Sequence, residues 1–544
     1  MDLKRHPGLS RPAIPEASAA RQMKGKILVV DDDSISRTLL TTFLERRDFQ
    51  VVVAEGVDQA IALLETDPLE GIDCVVTDYQ MPEKDGLWLL EWLHGKDPHL
   101  ATIMVTAQGE KHLVTATLRQ GACDCLDKPI DPRALDTAAL KAVALTRHRR
   151  CQARAQSDIE SVGKFQQEMV SSALPSSGLD ITLCYRPMHE AGGDHFIALP
   201  LGDDRFLILA TDVSGHDLRS AYFSAYFQGF VRGMLDTQTP IQSILERFNQ
   251  RLLEETAKPE AAASGKQGTS VAVAAVLVDR NTLSLESINC GFPAPVYSDG
   301  AGRVLGLSAL WSSPLGWFPD TVELPSSMAI DPGSTLYLWT DGLEDVAAQL
   351  GVAPMACAFD FFRAQAKGAS PAWIQDAGDD ILVTKVALTP PVEGQREFVP
   401  IVVAWYPGSD YERIDTIQET WFRSLRLALP FLTVDRTYDI MLCLREVVIN
   451  ALKHGCRGQQ DQMASLMISW EPHSSLVRVI VSDPGPGHSF DWRQHKQRAE
   501  NELIDEHRGL MLIDAMTQRF ETRSNGAWVE MDFEIDPTLK EMAS

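Results

Sequence analysis

Residues 26–135 alternate short apolar runs with stretches in which apolar residues recur at helical spacing. A helical pattern over residues 34–47 follows the first apolar run, which ends in three aspartates. The strand-like runs cover residues 26–30, 51–54, 74–77, 102–105 and 125–126. Alternation of this kind predicts a parallel sheet with helices on both faces, and a functional site at the carboxyl ends of its strands.

Residues 134–175 form a long stretch in which glycine first appears at Gly163 and proline at Pro175. A seam of apolar and small residues, interrupted by the polar Gln166, recurs there at alternating four- and three-residue steps: Ala155, Ile159, Val162, Gln166, Met169 and Ala173. The pattern predicts a helical connector. It is too short to decide between a short coiled coil, which would make a homodimer, and a single helix packed on the next domain.

Four aspartates of the middle segment stand at the ends of apolar runs or next to glycine turns. The run 206–210 leads to Asp212, the run 335–340 leads to Asp341, Asp194 follows Gly192 and Gly193, and Asp379 precedes the run 381–388. Buried carboxylates are normally paired, hydrogen-bonded or bound to a metal. Oxygen ligands without His or Cys suit Mg²⁺ or Mn²⁺. With helical patterns at 218–235 and 240–256, the segment predicts an α/β sandwich with a divalent-metal site.

The last segment follows a proline-containing linker. A strand-like run at 398–405 precedes helical patterns at 411–429 and 438–454, and Glu446 and Asn450 share one face of the second helix because they are four residues apart. The strand-like run 477–482 then leads to Asp483, Gly485 and Gly487. Glycines at such a turn allow the backbone to approach a ligand closely.

The net charge and the cysteine pattern limit the kinds of partner and compartment expected for this protein. The formal net charge of −25 disfavours binding to nucleic acid through phosphate contacts and to an anionic membrane surface. The nine cysteines are scattered without a Cys-x-x-Cys pair, as in reduced thiols, and the basic N-terminus lacks the apolar core of a signal peptide. We therefore predict a cytoplasmic protein that acts on protein partners.

The first segment resembles the receiver domain of response regulators. The matching stretches are residues 29–32, 77–86, 105–107 and 127–129. The resemblance implies that Asp31, Asp32 and Asp78 hold Mg²⁺ and that Asp78 accepts a phosphoryl group from an upstream histidine kinase. Lys128 and the Thr106 hydroxyl would then contact the phosphoryl oxygens, since phosphoryl transfer needs neutralisation of charge.

The middle segment resembles the SpoIIE-type branch of the protein phosphatase 2C family. The resemblance rests on Gly-Gly-Asp194, Asp212-Val-Ser-Gly-His, Thr-Asp341-Gly and Asp379-Asp-Ile. It implies a Ser/Thr phosphatase in which Asp194, Asp212, the Val213 carbonyl, Asp341 and Asp379 hold two Mn²⁺ or Mg²⁺ ions, which hydrolyse a phosphomonoester.

The last segment resembles the GHKL ATP-binding fold, and the SpoIIAB/RsbW-type anti-sigma-factor kinases in particular. The resemblance implies that Asn450 holds Mg²⁺ against ATP, that Asp483 accepts a hydrogen bond from the adenine, and that Glu446 is the base for a substrate hydroxyl. The remaining nucleotide-binding positions that it implies are Gly485, Gly487, Arg508 and Gly509.

Together these resemblances imply a multidomain α/β protein: a flavodoxin-like receiver, an α/β sandwich phosphatase and an α/β GHKL domain. The predicted boundaries are a tail at 1–25, the receiver at 26–135, the connector at 136–175, the phosphatase at 176–390, a linker at 391–397 and the GHKL domain at 398–544. Such an order is typical of partner switching, in which a STAS-type anti-sigma-factor antagonist is dephosphorylated and rephosphorylated to control a sigma factor. The alternative is a C-terminal domain that only binds its partner in a nucleotide-dependent way.

Overall fold

A computed structural model describes residues 23–66, 71–107, 118, 120–172, 179–189, 191–202, 204–215, 218–235, 239–256, 269–299, 303–306, 312–319, 322–390, 394, 396–487 and 513–535. The chain divides into two compact units, residues 1–158 and 159–544. Residues 1–22 of the predicted tail, residues 258–267 and 491–506, and part of the predicted linker lie outside the described residues.

The first unit is built on a five-stranded parallel sheet with strand order β2-β1-β3-β4-β5. Its central strands are buried on both faces, as expected for a parallel sheet covered by helices. The strands are β1 Lys26–Val30, β2 Gln50–Ala54, β3 Cys74–Asp78, β4 Thr102–Thr106 and β5 Asp124–Asp127, and the first helices are α1 Ser34–Glu45, α2 Val57–Thr66 and α3 Gly86–Lys96. The flavodoxin-like prediction is confirmed.

A single helix of 41 residues, α4 Pro132–Ser172, runs from the end of this sheet into the second unit. Its first part packs on the first unit, where Arg147 pairs with Asp73 at 2.8 Å and Arg150 pairs with Asp97 at 2.6 Å. The predicted connector is therefore the continuation of the last helix of the first unit.

The second unit begins with two five-stranded antiparallel sheets, ordered β13-β10-β9-β8-β7 and β12-β11-β14-β15-β6. Buried apolar residues of both sheets, such as Ile208, Val276 and Leu338, form one shared core. The strands are β6 Asp180–Arg186, β7 His195–Pro200, β8 Arg205–Val213, β9 Val271–Asp279, β10 Ser284–Cys290, β11 Val296–Ser298, β12 Val304–Gly306, β13 Ser326–Ala329, β14 Thr335–Trp339 and β15 Ile381–Ala387.

Helices cover the outer faces of these sheets. The predicted pair is found as α5 Leu218–Leu235 and α6 Ile241–Thr256, and it packs on the first sheet through Phe227 and Phe248. The sequence patterns did not predict α7 Asp341–Leu350 and α8 Pro354–Ala366, which pack on the second sheet. The predicted α/β sandwich is confirmed, with two sheets between the helices.

The rest of the second unit is a five-stranded antiparallel sheet with order β16-β17-β18-β20-β19 and helices on one face. Strand β17 was not predicted from the sequence. The strands are β16 Val399–Pro407, β17 Met463–Glu471, β18 Leu476–Ser482, β19 Arg519–Arg523 and β20 Trp528–Glu534, and the helices are α9 Ile414–Ala428 and α10 Val434–Asn450. A π-helical turn, Ala451–Gly455, continues α10.

Helix α8 of the sandwich packs directly against β16 and α9. The Ser424 hydroxyl accepts a hydrogen bond from the Ala353 N–H at 2.8 Å. Arg363 donates to the carbonyl oxygens of Ala428 at 2.6 Å and Leu427 at 3.3 Å, at the end of α9. The two halves of the second unit therefore share a buried boundary.

Among the described residues, no helix is long and apolar enough to cross a membrane.

Candidate functional site

The first candidate site lies at the carboxyl ends of the parallel strands. One ligand oxygen each from Asp31, Asp32 and Asp78 can lie within 4.8 Å of the others, the spacing of a metal site. The Lys128 ammonium donates to Asp31 Oδ2 at 3.0 Å and to Asp78 Oδ2 at 2.8 Å. Thr106 ends the neighbouring strand and is buried. The structure thus brings all five predicted residues of this site to one edge of the sheet.

Burial raises the pKa of Asp78, and its hydrogen bond with Lys128 offsets part of that rise. Burial by itself lowers the pKa of Lys128, but hydrogen bonds with Asp78 and Asp31 outweigh it, so this pKa is raised overall. The lysine therefore stays charged beside the carboxylates. Three acids against one ammonium leave an excess of negative charge, which fits a divalent cation.

The second candidate site brings together aspartates from both sheets of the sandwich, with Asp194 buried, Asp212 and Asp379 half-buried and Asp341 exposed. Asp194 is 2% exposed, and burial together with the charges of Asp212 and Asp380 raises its pKa well above the ordinary value. Burial, Asp341 and Asp379 raise the pKa of Asp212 to about 8. Burial and the charge of Asp379 raise the pKa of Asp341, while its interaction with Asp212 offsets part of that rise. Such a group of acids fits one or two oxygen-ligated cations.

The backbone of the Gly-Gly turn closes against the Val213 carbonyl, which was also predicted as a ligand. A Cβ atom on Gly193 would lie 2.5 Å from the Val213 oxygen, so this approach requires glycine. The structure places the four predicted aspartates and this carbonyl in one region. Within the described residues, however, only Asp31, Asp32 and Asp78 meet the 4.8 Å spacing.

Sequence reasoning missed two side chains that support this second site. The buried Thr340 hydroxyl donates to Asp194 Oδ2 at 2.6 Å and accepts from the Leu382 N–H at 3.0 Å. Asp380 accepts from the Met188 and Gly193 N–H groups, both at 2.7 Å, and so fixes the turn before Asp194. Both residues are next to predicted ligands in the sequence. Only the tertiary structure shows which side chains hold other residues of the site in position.

A third missed residue is Gln166 of α4. Its amide donates to the Gly192 carbonyl at 2.6 Å and accepts from the Gly192 N–H at 3.1 Å. The prediction noted Gln166 only as a polar residue in an apolar seam. The contact favours the second of the two predicted alternatives, a helix packed on the next domain.

The third candidate site lies where α10 and its π-turn meet the end of β18. A Cβ atom on Gly455 would lie 2.1 Å from Asp483 Cγ, so the turn and the aspartate are in close contact. The Gly485 N–H donates to Asp483 Oδ1 at 2.9 Å. Asn450, at the end of α10, is exposed, and Glu446 is half-buried one turn earlier. The predicted residues Arg508 and Gly509 lie outside the described residues.

Comparisons with known proteins follow the same three-part division. Residues 27–140 match the family model of the response regulator receiver domain. Residues 202–374 match that of stage II sporulation protein E (SpoIIE), and residues 409–533 match that of the histidine kinase-like ATPase domain.

Among curated proteins, the chain is similar to the chemotaxis protein CheY of Listeria monocytogenes, with 36% identity over 104 residues, 19% of this chain and 86% of that one. It is also similar to the response regulator FleR of Pseudomonas aeruginosa, with 34% identity over 113 residues, 21% of this chain and 23% of that one.

Among solved structures, a receiver domain protein from Clostridium thermocellum has 28% identity and a TM-score of 0.22, and covers 23% of this chain and 97% of that one. The RsbU and RsbW domains of a Mycobacterium tuberculosis protein have 18% identity and a TM-score of 0.29, and cover 66% of this chain and 94% of that one.

Proposed function

We propose that this chain controls a sigma factor by partner switching. The chain belongs to the response regulators, and it joins a receiver domain to SpoIIE and histidine kinase-like ATPase domains. In this proposal an upstream histidine kinase phosphorylates the receiver. The middle domain then removes phosphate from a Ser or Thr of a STAS-type anti-sigma-factor antagonist. The last domain uses ATP to restore that phosphate.

The cluster of aspartates around Asp212 is the observation that carries the phosphatase activity. Burial and the charges of Asp341 and Asp379 raise the pKa of Asp212 to about 8, which reflects the cost of bringing these carboxylates together. When bound there, Mn²⁺ or Mg²⁺ would screen the phosphate and activate water. The chain's own part is to hold the ligands: Thr340 orients Asp194, and Asp380 fixes the turn that carries it.

In the receiver, we propose that a carboxylate oxygen of Asp78 attacks the phosphorus of the donor. A P–O bond to Asp78 forms as the bond between phosphorus and the donor group breaks. Lys128 is already within hydrogen-bonding distance of Asp78 and would neutralise the transferred group. The Thr106 hydroxyl would donate to a phosphoryl oxygen.

The proposed domains are the receiver at 26–135, the connector at 136–175, the phosphatase at 176–390 and the kinase at 398–544. In the last, Asn450 and Asp483 would bind Mg²⁺-ATP and Glu446 would take the proton of the substrate hydroxyl. The contact between the π-turn and Asp483 supports a nucleotide pocket beside α10. The second candidate function is nucleotide-dependent binding of the partner without phosphoryl transfer.

One experiment separates these activities. Full-length protein is incubated with a purified STAS-type antagonist, and its phosphoserine or phosphothreonine is followed by mass spectrometry. With Mn²⁺ and no ATP we expect loss of phosphate, which Asp341→Asn abolishes. With ATP we expect gain of phosphate in the Asp341→Asn variant, which a second change, Glu446→Ala, abolishes.

Two results would contradict the proposal. Dephosphorylation by Asp341→Asn at the wild-type rate would remove the acidic cluster from the reaction. ATP-dependent complex formation without phosphate gain would favour the binding-only alternative.

A further inference from the structure

A cavity of about 370 Å³ lies between the end of α4 and the start of α5, beside β7. Its walls include Val162, Phe165 and Tyr222, which are 45%, 63% and 66% exposed. Large apolar side chains at this exposure lose contact with water when a ligand covers them, which is favourable. The volume lies within the usual range of small-molecule sites.

Two buried side chains of the same lining each have a polar atom that lacks a hydrogen-bond partner within the described part of the chain. His195 is 5% exposed and Ser224 is 2% exposed. His195 Nε2 and Ser224 Oγ both lack a partner. Buried polar atoms are normally satisfied, so two of them in one cavity indicate a ligand or ordered water.

We propose that this cavity binds a small, mostly apolar molecule that carries a hydroxyl group. The apolar part of this molecule would cover Val162, Phe165 and Tyr222. The hydroxyl would bind His195 Nε2 and Ser224 Oγ, since a hydroxyl both donates and accepts and therefore suits either tautomer of the histidine.

Gln166 connects the cavity to the second candidate site. It lines the cavity and at the same time makes both hydrogen bonds with Gly192, two residues before Asp194. A bound molecule that contacts Gln166 would change how firmly it holds that turn. This coupling, unlike the binding itself, rests on the proposed phosphatase function, because it assumes that Asp194 binds a metal ion.

Binding is tested with 2-naphthol on the full-length protein by fluorescence titration. We expect saturable binding of one molecule, and at least fivefold weaker binding of naphthalene in competition, because naphthalene lacks the hydroxyl. Ser224→Ala should shrink that difference without unfolding the protein, since Ser224 Oγ has no partner to lose.

The blocking variant is Ala225→Trp, because Ala225 lines the cavity yet is exposed, so that the larger side chain can be accommodated. Gln250→Trp, at an exposed position of α6, is the matched control. We expect at least tenfold weaker 2-naphthol binding in the first variant and no change in the second. Equal binding by both variants, or no saturable binding by wild type, would overturn the proposed site. A change in oligomeric state in Ala225→Trp alone, seen by gel filtration, would assign the cavity to a second copy of the chain.

Coupling is tested by titrating Mn²⁺ calorimetrically with and without saturating 2-naphthol. We expect a change of threefold or more in Mn²⁺ affinity, lost in Gln166→Ala. Unchanged Mn²⁺ affinity would overturn the coupling while leaving the binding site in place. A failure of the proposed phosphatase function would look different from a failure of the coupling. In that case the protein would not hydrolyse phosphoserine even when no 2-naphthol is present.

Discussion

The raised pKa of Asp212 gives the protein a specific pH dependence. The pKa of Asp212 is about 8 in the folded chain and ordinarily 3.8, so the folded state binds more protons than the unfolded state between these values. Without metal, stability should therefore fall as the pH rises from about 4 to about 8.

Asp212→Asn should flatten this part of the stability curve, because the amide does not titrate. Chemical unfolding of the two proteins in a chelating buffer at several pH values measures the effect. Saturating Mn²⁺ should reverse the trend in wild type, since the cation favours the ionised carboxylates. Parallel curves for wild type and variant would contradict the assignment of the raised pKa to Asp212.

Thr340 acts through Asp194 and offers a second prediction at this scale. Thr340→Val keeps the shape of the side chain but leaves Asp194 Oδ2 without this donor and the Leu382 N–H without its acceptor. Loss of a hydrogen bond to a charged group costs about 1.5–3 kcal/mol, so we expect Mn²⁺ to bind at least tenfold more weakly.

Thr340→Ser is the control, because it keeps the hydroxyl and should restore most of the Mn²⁺ affinity. Calorimetric titration of the two variants and wild type makes the comparison. Wild-type Mn²⁺ affinity in Thr340→Val would show that the hydroxyl has no positioning role.

At the scale of elements, the sequence predicted best where the hydrophobic pattern was strong and local. The parallel sheet and the pair α5 and α6 followed from periodicity alone. Helix α7 was missed because the apolar run before Asp341 dominates the local pattern and hides the helix that begins there. Strand β17 was missed because its alternation, buried at nearly every position, differs from that of a half-exposed strand.

The candidate site was predictable to the same degree. The order of the motifs and the glycine turns predicted that the aspartates form one site. No local pattern, however, distinguishes Asp379 from Asp380. The structure distinguishes their roles, because both carboxylate oxygens of Asp380 accept hydrogen bonds from backbone N–H groups of a turn distant in sequence. Contacts such as that of Gln166 with Gly192 depend on packing between elements and leave no periodic signal.

Helix α10 carries a prediction that separates binding from chemistry. Asn450→Ala should weaken ATP binding, because Asn450 is proposed to hold the Mg²⁺-triphosphate. Glu446→Ala should preserve ATP affinity within about twofold and lower phosphoryl transfer by about 100-fold or more, since a general base acts in the transition state. ATP binding by calorimetry and antagonist phosphorylation are measured on both variants. Transfer at the wild-type rate by Glu446→Ala would exclude it as the base.

At the scale of the molecule, the boundary between α8 and α9 joins the proposed phosphatase and kinase. Arg363 holds the last carbonyls of α9, so the two domains should unfold together. ADP, by binding the folded kinase, should then raise the unfolding temperature of both. Calorimetry on Arg363→Ala should show the transition splitting, with the phosphatase part insensitive to ADP. The exposed Arg247→Ala is the control. A split transition already present in wild type would contradict joint unfolding.

The proposed function gives this chain two opposed activities, and we propose α4 as the route by which phosphorylation of Asp78 biases them. Helix α4 leaves the receiver sheet and reaches Gly192 through Gln166. We predict that acetyl phosphate raises phosphatase activity through Asp78 and leaves kinase activity nearly unchanged. A tenfold change requires only about 1.4 kcal/mol of bias between two states.

Glu160→Pro, at an exposed position before Gln166, interrupts the helix at a cost of about 3 kcal/mol and spares the contact with Gly192. It should keep basal phosphatase activity and lose the response to acetyl phosphate, while Glu160→Ala keeps both. A wild-type response in Glu160→Pro would show that the signal does not travel along this helix.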